Sequence, residues 1–226
     1  LYQPLKTISV FEDFDDHLGK ALLNSELDLE VGTDRNVDPD MGEAIASSSL
    51  PLEHVAISYM INAEDFFQAC MRDWTWQNLQ SLALTSQLLQ CTADHEKTCA
   101  LLYSAGMTAL QMPKLQTLVL WNGAKDNACA FIYCANKDQP TITWRGTWDL
   151  ELSPGLVSKW QDVASKQQGA FYEFHLVDLK VYKQKIEGTI RCHGDAIYHL
   201  DLPVSVVSAQ SLRQMRAEEG SKQYNR

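Results

Sequence analysis

An α/β fold of repeated strand–helix units is the architecture the sequence predicts, on three observations. A six-residue rhythm, L-x-x-Φ-x-Φ with Φ apolar, recurs five times. The last two apolar positions of each copy alternate with their neighbours, as a strand with one buried face requires. The stretches between copies carry helix signals rather than further strand patterning. The copies are "LKTISV" (Leu5, Ile8, Val10), "LEHVAI" (Leu52, Val55, Ile57), "LQSLAL" (Leu79, Leu82, Leu84), "LQTLVL" (Leu115, Leu118, Leu120) and "LVDLKV" (Leu176, Leu179, Val181). Their starts lie 47, 27, 36 and 61 residues apart. Only the 27-residue interval has a leucine-rich-repeat length, so the others carry insertions. Parallel strands joined through helices need right-handed crossovers, and these wind a solenoid. The expected fold is therefore a degenerate leucine-rich-repeat-like solenoid with parallel strands and with helices on the convex side. A C-terminal β-hairpin and helix close it. A standard repeat places Asn or Cys three residues beyond the last strand leucine; Asp13, Met60, Gln87 and Gly123 stand there instead.

The elements follow in order. Pro39 suits the first turn of a helix over "DMGEAIASSS", which stops before Pro51. Asn62 is placed to cap "AEDFFQACMRD", whose Phe66, Phe67 and Cys70 share a face. Thr92 or Asp94 is placed to cap the longer "HEKTCALLYSAGMTALQM", which ends before Pro113. "WNG" after the fourth strand reads as a turn, with Gly123 supplying a positive φ. "ACAFIYC" (128–134) and "PTITWRGTW" (140–148) read as a hairpin joined through "ANKDQ". "SPGLVSKWQDVASKQQG" opens on Ser-Pro and closes on Gly169, with Leu156, Trp160 and Val163 as its apolar stripe. One domain spans 1–226. Irregular repeats fill 1–127, with an acidic insertion at about 24–38, and the hairpin, helix and terminal repeat fill 128–226.

Composition sets limits on function. The chain is 45% hydrophobic and 21% charged, ordinary for a globular domain. Its net charge of −10 is concentrated: Glu12 to Glu43 holds eleven acidic residues and two basic ones. With no basic stripe, binding to nucleic acid or to an anionic membrane is disfavoured. No apolar run reaches the roughly 18 residues of a membrane span. No signal peptide is visible, and the six scattered cysteines contain no C-x-x-C. They read as reduced thiols of an intracellular protein, cytoplasmic or nuclear. The chain opens on Leu1 rather than Met, so a processed product or a fragment is the expectation, an upstream domain being one of the things a fragment would lack.

Several blocks are more specific: "LPLEHVAISYMINAEDFFQ", "LTSQLL", "MPKLQTLVLWNG", "ACAFIY", "TITWRGTWDLELSP" and "CHGDAIYHLDLP". Together, from about Leu52 to Leu212, they resemble a fungal domain of unknown function found in F-box-like proteins with degenerate leucine-rich repeats. The resemblance implies a fungal source and a substrate-recognition role. It implies a Skp1-type adaptor as partner only where an upstream F-box segment exists. It carries over no catalytic residues.

Candidate sites come last. Cys91, His95 and Cys99, at i, i+4 and i+8, offer zinc-type donors, but successive helical turns are about 5.4 Å apart and no fourth ligand follows. Cys192, His193, Asp195 and His199 hold the residue types of a nucleophilic site, yet adjacent side chains diverge. "TWRGTW" is either a stacking platform or a core face. No G-x-S-x-G, H-E-x-x-H, Rossmann triplet or P-loop occurs, so no catalytic, cofactor or metal residue is assigned. An enzyme built from scattered loop residues such as His54, Asp94, Arg145 and His193 is the alternative. The stronger signal is the strand face turned away from the helices. It is small and almost uncharged, with aromatics at its rim, where a solvated face carries many charges. Such a face is covered, by another segment of the chain or by a partner. Phe11, Ala83, Val119, Trp121 and Tyr182 are the expected partner-binding residues.

Overall fold

The computed structural model describes residues 5–12, 39–135, 139–167, 169, 178–207, 210–213 and 215. Among these residues seven strands form one sheet in sequence order: β1 (Thr7–Phe11), β2 (His54–Ser58), β3 (Ser81–Thr85), β4 (Thr117–Ala124), β5 (Asn127–Cys134), β6 (Thr141–Gly146) and β7 (Lys180–Lys185). Strands β1 to β4 pair in parallel, β5 runs antiparallel between β4 and β6, and β7 is parallel to β6. The first four copies of the hexapeptide rhythm thus lie side by side and in register: Ile8 beside Val55, Val55 beside Leu82, and Leu82 beside Leu118. The fifth copy lies only partly in the sheet, with Leu179 just before β7 and Val181 within it, and β7 is separated from β4 by the antiparallel pair. The fold is therefore α/β with a mostly parallel sheet. The expected acidic insertion at about 24–38 lies outside the described residues.

Helices α1 (Pro39–Ser48), α2 (Ala63–Ala69), α3 (His95–Ala109) and α4 (Pro154–Gln167) contribute to the larger core with one face of the sheet. Val55, Ile57, Leu82, Leu84, Leu118, Leu120, Phe131, Tyr133 and Trp144 point into it, the every-second-residue set that alternation dictates. Trp76 spans its interior, donating from Nε1 to Ser49 Oγ at 2.7 Å. Trp160 on α4 packs between Phe131 and Tyr133, each ring 5.0 Å away, and donates to the Leu102 carbonyl at 3.2 Å.

A fifth helix, α5 (His193–Leu200), lies against the opposite face. Three layers result: helices, sheet, and the C-terminal stretch from Ile186 to Val207.

Three local expectations need correction. Asp94 caps α3, accepting from Glu96 N at 2.8 Å, but Asn62 makes no side-chain cap bond to α2. Its Oδ1 accepts from Gln87 N at 3.3 Å, tying the β2–α2 and β3–α3 loops together. Helix α2 also ends at Ala69, four residues short of the expected end. Finally, β4 runs straight through Asn122, Gly123 and Ala124, and the turn falls at Lys125–Asp126, where Asp126 has φ 60°. Gly123 is absent from the positive-φ residues. Its role is close approach: a Cβ there would lie 2.3 Å from the Ala196 Cβ on α5.

Candidate functional site at the carboxyl ends of the parallel strands

In parallel sheets, binding sites form beyond the carboxyl ends of the strands. Here that end brings together Phe11 of β1, Ser58 of β2 and Tyr59 just after it, Thr85 of β3, Trp121 of β4, and His193 at the start of α5. Register sets Phe11 beside Ser58 and Thr85 beside Trp121. Alternation turns all four side chains to the face that α5 occupies.

Tyr59 organises the cluster. Its φ of 67° is one that a bulky residue adopts only when its surroundings fix it. Three hydrogen bonds do so. Tyr59 N–H donates to Thr85 Oγ1 at 2.6 Å, its hydroxyl donates to the Gly123 carbonyl at 2.7 Å, and Gly123 N–H donates back to that hydroxyl at 3.1 Å. The ring stacks on His193 at 4.4 Å and meets Trp121 edge-on at 5.3 Å and Phe11 at 5.5 Å. Two polar atoms in this layer, Ser58 Oγ and Trp121 Nε1, are buried with no hydrogen-bond partner among the described residues. Beside the cluster a cavity of about 20 Å³, lined by Tyr59, Asn62, Thr85, Ser86 and Asn122 among others, is water-sized. Next to it, in the first turn of α2, Glu64 Oε2 is likewise buried with no partner among the described residues. Burial pushes this carboxyl above the usual range, against a hydrogen bond from Ser86 that works the other way.

The next row of the same face is Ser9, Ala56, Ala83 and Val119, aligned by register. Ala56, Ala83, Val119, Ala128, Ala130 and Ile132 pack with Ile186, Ile190, Ala196, Ile197, Leu200, Val206 and Val207. Of the expected partner-binding residues, Ala83, Val119 and Trp121 have no solvent-facing surface, and Phe11 is half-buried. Tyr182 stands apart on β7 and is exposed. The covering segment has a polar catch on either side of α5. Asp126 N–H donates to the Ile190 carbonyl at 2.8 Å. Arg145 Nη1 donates to the Leu200 carbonyl at 2.6 Å and pairs with Asp201 Oδ2 at 3.1 Å.

The remaining candidates do not converge. Cys99 Sγ lies 3.8 Å from the His95 ring nitrogens, but Cys91 is exposed in the turn before α3. Among the described residues no group of three or more His, Cys, Asp or Glu could hold a metal ion. Cys192 caps α5, its Sγ accepting from Asp195 N at 3.2 Å. Burial raises the Asp195 carboxyl, but its hydrogen bonds from Arg191 and that residue's charge outweigh this and hold it below the usual range. His199 sits against Gly188 instead. In "TWRGTW", Trp144 is buried, with Nε1 donating to the Trp148 carbonyl at 3.1 Å. His54, Asp94, Arg145 and His193 sit on four different elements. Tyr59 was not among the sequence candidates; "SYM" offers no local sign that a tyrosine takes a left-handed backbone.

No helix among the described residues is long and apolar enough to cross a membrane. Neither a curated protein nor a solved structure matches the chain. A model described as a family of unknown function (DUF6546) matches residues 1–208. That span takes in the seven strands and five helices named above and the whole carboxyl-end cluster, and the chain belongs to this family.

Proposed function

We propose that the chain is a protein–protein interaction module on a leucine-rich-repeat-like framework, with the open face of the sheet as its binding surface. The observation that carries this reading is the occupant of that face. An amphipathic helix, α5, is seated there through Ala196, Ile197 and Leu200 on a bed of alanine, valine and isoleucine side chains. A surface that accommodates one protein helix has the shape and chemistry for helix-in-groove recognition. Two further points support it. Strands β1 to β4 follow one another in parallel with helices on the far side, as in repeat proteins that bind partners on the strand face. The resemblance to fungal F-box-like proteins adds substrate recognition as the role, with a Skp1-type adaptor only where an F-box segment is also present.

The test is affinity capture with the full chain as bait, followed by mass spectrometry. Phe11→Glu combined with Tyr182→Glu alters the accessible rim, and circular dichroism checks that the variant folds. The expected result is a specific protein recovered with the unaltered chain and lost with the double variant. Recovery of nothing above control overturns the reading.

A further inference from the structure

We infer that the C-terminal stretch from Ile186 to Val207 is a displaceable occupant of the open face, which accepts in its place an amphipathic helix with a small residue over Gly123 and a hydrogen-bond acceptor beside Trp121. This deepens the reading of the open face as a binding surface and rests on it. Helix α5 has eight residues, fewer than the roughly 12–15 an isolated helix needs, so docking is what forms it. It packs on β4 and β5. One side is solvated, with Tyr198 exposed. Its grip is the Asp126–Ile190 and Arg145–Leu200 bonds on either side of α5, the Ile186 N–H bond to the Gly146 carbonyl at 2.8 Å and buried apolar contacts between, and release of the bonds flanking α5 lets it open as a unit.

The fit beneath it is imperfect in a specific way. Ser58 Oγ and Trp121 Nε1 are buried without partners among the described residues, a standing cost of the closed state. Tyr59 is held at φ 67° with its ring against His193, the first residue of the covering helix. An occupant presenting a carbonyl or carboxylate to the Trp121 indole would satisfy a donor that α5 leaves bare. The small-residue requirement follows from the 2.3 Å that would separate a Gly123 Cβ from Ala196 Cβ. Any helix crossing there must carry Gly, Ala or Ser.

Two measurements on the full chain test this. In native-state hydrogen exchange, the hydrogen-bonded amides of α5 are expected to exchange at least about 100-fold faster than those of β3 and β4, through an opening that leaves the sheet intact. The second uses a fluorescent synthetic peptide spanning residues 186–207 as the incoming helix. Ile197→Asp placed in the chain itself weakens the tethered segment and leaves the face unaltered. The chain so altered is expected to bind the peptide at least about tenfold more tightly than the unaltered chain, because apparent affinity scales with the open fraction. The same peptide carrying Ile197→Asp is expected not to bind. Exchange of α5 at the rate of β3 and β4 overturns displaceability, and equal peptide affinity in the two chains overturns the acceptor role. Neither readout needs a foreign partner, so an empty affinity capture would count against the proposed function without touching these results.

Discussion

At Gly123 an added methyl has nowhere to go, because α5 lies across the strand at that point. Gly155, in the first turn of α4, has nothing within 4 Å of an added Cβ. The two glycines should therefore respond oppositely. Gly123→Val is expected to lower stability by about 1–3 kcal/mol through overpacking. Gly155→Ala is expected to raise it by up to about 1 kcal/mol through helix propensity. Denaturant unfolding of both variants checks the contrast. Glu64 offers a pH-dependent counterpart. Its folded-state pKa is raised by burial, so the folded form holds its proton more tightly than the unfolded chain does. The resulting stability is fully present below the ordinary glutamate pKa and is lost as pH rises through the folded value. Glu64→Gln should therefore raise the melting temperature at pH 7 relative to the unaltered chain, and not at pH 4. At this scale little was legible from sequence. Asn-Gly is a turn signal in most contexts, and the reason for this glycine lies seventy-three residues away at Ala196. Burial likewise distinguishes the cysteines. It pushes the Cys70 thiol up to about 12 and the Cys129 thiol further still, while Cys91 is exposed. Alkylation under native conditions should label Cys91 and leave Cys129 until the chain unfolds.

Among the elements, α3 and α4 show how far local pattern reaches. Asp94, three acidic or polar positions around it, and the apolar spacing behind it are local signals, and they place the start of α3 correctly. Asp94→Ala should cost about 1 kcal/mol, the usual loss for a cap. Trp160 is legible as a core residue from the Leu156–Trp160–Val163 stripe, and its full burial between Phe131 and Tyr133 matches. Trp160→Ala is expected to cost about 3–5 kcal/mol in denaturant unfolding, with loss of the bond to Leu102 included. The early end of α2 and the β4–β5 hairpin escaped the sequence. Both are settled by tertiary contacts: past Ala69 the Met71 and Arg72 carbonyls accept from Gln111 Nε2 at 3.4 and 2.8 Å, and β4 is extended by eight paired residues of β5. Helix α5 entered the sequence reading only through Cys192, His193, Asp195 and His199, and not as the cover of the strand face. Its sequence states which residues are apolar, not which side of a distant sheet they meet.

Across the whole molecule, strand order equals chain order, so the hexapeptide rhythm alone was enough to place four neighbours of the sheet. The same ordering leaves β1 and β7 as the outermost strands among those described, and they differ sharply. Strand β7 reads Lys-Val-Tyr-Lys-Gln-Lys and is exposed throughout, with three lysines along its length. Such an edge repels a further strand, since docking would bring like charges together and strip their water. Strand β1 reads Thr-Ile-Ser-Val-Phe, without a charge, and Val10 is exposed. Among the described residues the sheet therefore has a guarded end and a sticky one. When chains of this protein aggregate on heating, the unguarded border is where one chain templates onto the next, and a single lysine at Val10 should delay the rise in light scattering while a lysine added to β7 changes it little.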